Sequence, residues 1–143
     1  KCLILGTLYA LSSGTTHSVQ YGFAAILKAA NDGDYNFVKE VREYGEKARI
    51  MKDIFVSNGF EIVYDKDGDT PIADGFYFTL RYPNMDGKDL LKNLLSYGIS
   101  AIGLRITRSD NADGLRACVS QVKRDQFDDL KNRVEAFHKD FSK

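Results

Sequence analysis

At Asn58-Gly59 the spacing of apolar residues changes from helical to strand-like, and this switch of period, repeated along the chain, constrains the fold most. Before it, Phe37, Val38, Val41, Tyr44, Ala48, Met51, Phe55 and Val56 recur mostly three or four apart with charges between them, which predicts a long helix starting near Tyr35. Gly45 is a candidate kink within it. After the switch, Phe60, Ile62 and Tyr64 alternate with Glu61, Val63 and Asp65, a period of two that suits a strand. Glycine fits the junction because it readily takes the left-handed conformation that closes a helix.

Upstream, Val19, Phe23, Ile26, Leu27 and Ala30 form one apolar face of a helix beginning near His17. Thr15, Thr16 and Ser18 are its candidate caps, and Asn31-Asp32-Gly33-Asp34 its stop. Downstream, Asp65-Lys66-Asp67-Gly68-Asp69 is a polar turn, followed by an aromatic-rich strand from Phe76 to Tyr82 that ends at Pro83-Asn84. Asp86 then caps a short helix carrying Leu90, Leu91, Leu94 and Leu95, stopped at Tyr97-Gly98. Ile99 to Ile106 and Leu115 to Val122 read as strands joined by the polar loop Thr107 to Gly114. Phe127, Leu130, Val134, Phe137 and Phe141 mark a final amphipathic helix. The order α, α, β, β, α, β, β, α predicts an α+β domain, with helices packed against a mostly antiparallel sheet.

With 143 residues, 43% of them hydrophobic, the chain is long enough for one ordinary core and is expected to form one compact domain. Lys and Arg number 20, as do Asp and Glu, so no basic excess points to nucleic acid or an anionic membrane. The apolar run Tyr21 to Leu27 is far shorter than the roughly 20 residues of a membrane span. Two cysteines, Cys2 and Cys118, make no disulfide framework, and a reducing, cytoplasmic setting is expected. Lys1 reads as the middle of something longer, with residues 1–18 expected to lead in and residues 19–143 to form the domain itself.

Local motifs are sparse. His17 and His138 have no second ligand at metal spacing, which leaves surface or capping roles for them and no metal site. Asp65 to Asp69 faintly resembles the start of a calcium loop, but the twelfth position from Asp65 is Phe76 where a glutamate is needed, so it reads as a solvated hairpin turn. Ser12-Ser13-Gly14-Thr15-Thr16 precedes a helix, and its hydroxyls suit either capping or a bound anion. Arg116 stands apart because it interrupts an apolar strand, between Leu115 and Ala117. A guanidinium held there needs an acidic partner, either an internal Asp or Glu or the carboxylate or phosphate of a ligand.

Read in order, these blocks resemble the last third of class I/II aminotransferases, the fold type I pyridoxal-phosphate enzymes. The resemblance is carried by Arg49 to Gly59 in the long helix, and by Asp74-Gly75-Phe76-Tyr77-Phe78 entering a strand. It continues through the leucine-rich segment Leu90 to Ile99, and through Gly114-Leu115-Arg116-Ala117-Cys118-Val119-Ser120 ahead of the last helix. It implies the small C-terminal domain of an enzyme that moves an amino group between an amino acid and a 2-oxo acid. By the same resemblance Arg116 is the residue that binds the substrate α-carboxylate, and the cofactor is pyridoxal 5′-phosphate.

In that family the lysine that holds the cofactor and shuttles the substrate proton lies in the large domain. The resemblance places no such lysine in this chain, so no catalytic residue is assigned here. Relatives commonly carry Pro-Gly and an aromatic after the leucine-rich helix, where this chain reads Ala101-Ile102-Gly103-Leu104-Arg105-Ile106-Thr107. Side-chain specificity is thereby left open, with Arg105 and Arg108 as either contacts to a second carboxylate or solvated surface residues. The family also implies a homodimer of the whole enzyme. Two alternatives stand beside this reading: a stand-alone α+β module that grips a small carboxylate or regulates, and a different pyridoxal-phosphate reaction such as decarboxylation.

Overall fold

The structure, a computed structural model, describes all residues except 1, 2, 4, 5, 8, 13, 15, 73, 74, 111, 112 and 143, and of Ser12 the backbone alone. Cys2, the candidate cap Thr15, and Ser13 and Asp74 of the blocks above therefore lie outside the described residues. The chain divides into two compact units, 1–40 and 41–143.

The first unit is helical. A short helix absent from the sequence reading, α1 (Tyr9–Ser12), precedes α2 (His17–Asp32). Thr16 occupies the cap position of α2 with no side-chain cap bond, and Gly33 closes the helix in the left-handed conformation (φ 84°), its N–H bonding the carbonyls of Ala29 and Ala30. Amphipathic as its spacing is, α2 buries none of its residues, and Val19, Tyr21, Phe23, Ile26 and Leu27 are exposed.

Helix α3 (Phe37–Val56) starts where the Asn36 side chain accepts the Lys39 amide hydrogen at 2.9 Å, and it runs unbroken through Gly45. Phe37, Val38 and Val41 are exposed, whereas Ala48, Met51 and Phe55 are buried. Gly59 follows at φ 80°, and a Cβ there would lie 2.8 Å from a ring carbon of His138. Both the conformation and the close approach call for glycine.

The second unit contains a four-stranded antiparallel sheet of order β1-β4-β6-β5. Its members are β1 (Glu61–Ile62), β4 (Tyr77–Arg81), β5 (Ile102–Gly103) and β6 (Leu115–Cys118), with a separate hairpin of β2 (Lys66–Asp67) and β3 (Thr70–Pro71) at the predicted polar turn. One sheet face carries Phe78, Leu80, Leu115 and Ala117 into a core shared with Ala48, Met51 and Phe55 of α3. Leu90 and Leu94 of α4 (Gly87–Ser96) and Val134 and Phe137 of α5 (Phe127–Phe141) complete that core. The fold is thus α+β, two layers with one sheet face covered.

The expected strand Phe76 to Tyr82 loses one residue at each end, and the other three shorten further. Phe60 to Tyr64 reduces to β1, and Leu115 to Val122 ends at Cys118: the Val119 amide still donates across to the Phe76 carbonyl, but Val122 then turns back onto Val119. Ile99 to Ile106 keeps only β5, then tightens into a 3-10 turn, Leu104–Thr107. That turn is a correction with a clear cause: it lets Leu104 enter the interior while its amide donates to the Gly114 carbonyl at 2.9 Å. A continued strand would alternate Leu104 and Ile106 onto one face, whereas here Leu104 is buried and Ile106 exposed.

Asp86 caps α4 as expected, its carboxylate accepting the Lys88 amide hydrogen at 2.8 Å. Asp86→Ala should lower stability by about 1 kcal/mol, read as a shift in a denaturant midpoint at unchanged slope.

Arg124 ties the approach to α5 back to α3. It binds both oxygens of Glu43 at 2.7 Å and reaches Glu46 at 2.7 Å. The hydrogen bonds from Arg124 hold the Glu43 carboxyl below its ordinary value of 4.5, with the charges of Arg124 and Lys47 adding to the effect. A depressed carboxyl stabilises fully above its unfolded value and loses that contribution as pH falls through the folded one. The stability gap between wild type and Arg124→Gln should therefore stay level above about pH 4.5 and narrow below it, in denaturant titrations across the acid range.

Candidate functional site

Along β6 the side chains alternate, so Leu115 and Ala117 enter the core while Arg116 and Cys118 face the other way. Arg116 sits on the third strand of the sheet order, with Thr79 of β4 opposite it on one side and Ile102 of β5 on the other. Tyr77 lies opposite Cys118, diagonal to Arg116 across the β4–β6 ladder and within reach of a long side chain. Its ring takes the guanidinium on its face, with Cζ 4.4 Å from the ring centroid.

The Nε of Arg116 is buried and has no hydrogen-bond partner, and no Asp or Glu among the described residues pairs with the guanidinium. Of the two acidic partners that the sequence leaves open, the internal one is thus not found among the described residues. The fork is presented on the sheet face opposite the core, beside a half-exposed tyrosine and with no acidic partner among the described residues.

Cys118 shares this face. Burial alone would raise its thiol, but hydrogen bonds from the Ser120 hydroxyl (3.2 Å) and from the backbone at Gln121 and Ser120, with the charge of Arg116, bring it below the ordinary thiol value. Gly114, which opens the Gly-Leu-Arg block, is packed under the loop, where an added Cβ would meet Leu104 Cδ1 at 2.5 Å and Val63 Cγ2 at 3.0 Å. The start of β6 therefore accepts no side chain there without displacing its neighbours.

The other residues singled out from sequence scatter. Arg105 and Arg108 are exposed, the former lining a shallow hollow with Lys88, Leu91 and Ile106, the latter in left-handed conformation at the end of the 3-10 turn. His138 bonds the Tyr82 hydroxyl through Nδ1 at 2.8 Å, and His17 opens α2 on the surface. Among the described residues no group of three or more His, Cys, Asp or Glu is arranged to hold a metal ion. No helix among them is long and apolar enough to cross a membrane. Tyr77 is the site residue that the sequence reading missed. It appears there only as one aromatic of a strand, and its partnership with Arg116 depends on register.

No protein-family model matches the chain, and no curated protein matches it. Among solved structures it is similar to LysN, the α-aminoadipate aminotransferase of Thermus thermophilus, crystallised with N-(5′-phosphopyridoxyl)-L-leucine. The two share 16% sequence identity and a TM-score of 0.52, over 69% of this chain and 25% of that one. The likeness is one of fold, and the chain spans a quarter of that protein's length.

Proposed function

We propose that this chain is the small domain of a pyridoxal-phosphate-dependent aminotransferase, and that Arg116 is its grip on the substrate α-carboxylate. The observation that supports this most is the guanidinium of Arg116, set in the sheet, faced by Tyr77 and paired with no carboxylate among the described residues. A planar fork of this kind binds a carboxylate through two parallel hydrogen bonds. Holding the α-carboxylate orients the substrate for loss of its α-proton, a positioning effect of several kcal/mol when geometry is good. When bound, pyridoxal phosphate supplies the electron sink for that proton loss. The resemblance places no lysine for the cofactor among this chain's residues, so they do not make up the cofactor site and no step is assigned to them beyond the carboxylate grip.

On this reading residues 1–18 lead in from a larger domain that carries the cofactor, and the whole enzyme works as a cytoplasmic homodimer on amino acids and 2-oxo acids. The coding sequence upstream tests it. A lysine in a Ser-x-Ser-Lys-like context a few dozen residues before Leu8, and amino transfer by the full-length product, are the expected findings. A frame that opens at this domain would leave the stand-alone carboxylate-binding module in its place. Alone, the 143-residue chain is expected to bind pyridoxal phosphate weakly and to turn over no amino acid. A stoichiometric adduct that borohydride fixes to one of its lysines would contradict this.

A further inference from the structure

Arg116 has a long, freely rotating side chain, and a guanidinium left to itself on an open sheet face would sample many orientations. Here it is held. Tyr77 lies on the adjacent strand with its ring against the guanidinium face, 4.4 Å from Cζ. Tyr77 is itself anchored, since the register sets it opposite Cys118 and the preceding Phe76 carbonyl accepts from Val119 at 2.8 Å. The Nε of Arg116 is shut off from solvent without a partner, while Nη1 and Nη2, equally unpartnered among the described residues, are not buried. The edge formed by Nε and one Nη, which many arginines use toward carboxylates, is closed. The end carrying both Nη atoms is open.

We propose that Tyr77 is the positioning residue of this site, stacking on Arg116 so that the fork takes a carboxylate end-on through Nη1 and Nη2. This rests on the carboxylate-grip reading of Arg116. Stacking pays part of the ordering cost in advance, because a weakly hydrated guanidinium already lying on an aromatic face has little freedom left to lose on binding. The part that matters is the ring, and the hydroxyl is dispensable.

The test is a titration of the 143-residue chain with sodium acetate at constant ionic strength, followed by the side-chain ¹⁵N resonances of Arg116. In wild type, acetate should shift the Nη signals and leave Nε–Hε little changed. Tyr77→Phe should bind acetate as wild type does, whereas Tyr77→Leu should bind about threefold to tenfold more weakly. The backbone amide spectrum should stay that of the folded chain in both variants. A Tyr77→Leu protein that is folded and binds like wild type would overturn the positioning role, as would acetate binding seen mainly at Nε. If Arg116→Ala, followed at the backbone amides of β4 and β6, kept the acetate-induced shifts of wild type, the grip reading itself would fall, and the proposal with it.

Discussion

Arg116→Ala in the full-length protein is expected to raise KM for amino-acid substrates, lower kcat, and leave the cofactor absorbance intact. Removing one member of a partly desolvated charge pair costs about 2–5 kcal/mol, so kcat/KM should fall on the order of 100-fold or more. Two effects act together. On the proposed reading the substrate would lose its bidentate anchor, raising KM, and its α-hydrogen would lose orientation, lowering kcat. Arg116→Lys should recover only part of this, because a point charge on a flexible stem does not reproduce a planar fork. Steady-state kinetics beside the cofactor spectrum separate the outcomes, and unchanged kinetics in the alanine variant would remove Arg116 from the site. Folding should be little affected, because Arg116 makes no ion pair among the described residues and only its ring contact with Tyr77 is lost.

The largest effect on stability is expected at Phe137. Its side chain is fully buried and meets the rings of Phe60, Tyr82, Tyr97 and Phe141, with centroids 4.7–5.6 Å away. Phe60 directly precedes β1, Tyr82 follows β4, Tyr97 closes α4 and Phe141 ends α5, so one ring ties the last helix to α4 and to the sheet. Phe137→Ala should cost about 3–5 kcal/mol, from lost transfer energy together with the cavity that four surrounding rings cannot fill. In a domain of this size that lowers the thermal midpoint by more than about 10 °C. Calorimetry of the chain measures it directly. A loss below about 1 kcal/mol would mean that the cluster repacks.

Much of the fold was legible because its punctuation is chemical and local. Gly33, Gly59 and Gly98 take positive φ where the sequence reading ended helices, and Asp86 caps the helix assigned to it. These features depend on a few neighbouring residues, and so they survive without any tertiary knowledge. The strands were less legible. Leu104 and Val119 extend apolar runs that look like strand, yet both are buried core residues beyond the ends of β5 and β6. An apolar run records burial, and burial is reached as well by a 3-10 turn as by a ladder. The helical face of α2 shows the converse, since its periodicity was read correctly as helix while its apolar side chains remain exposed.

The site divides along the same line. By itself, the sequence determined that a guanidinium falls between Leu115 and Ala117 in a strand-like run, which needs only the strand's own alternation to be noticed. It also determined the α+β order, because that order follows from which period holds in which segment. Only the tertiary structure decided what meets Arg116. Its stacking on Tyr77 arises from pairing β4 with β6, strands separated in sequence by a helix, a further strand and a loop. Register of that kind is set by packing across the whole core, where a slip of one residue would send Arg116 inward and Ala117 out.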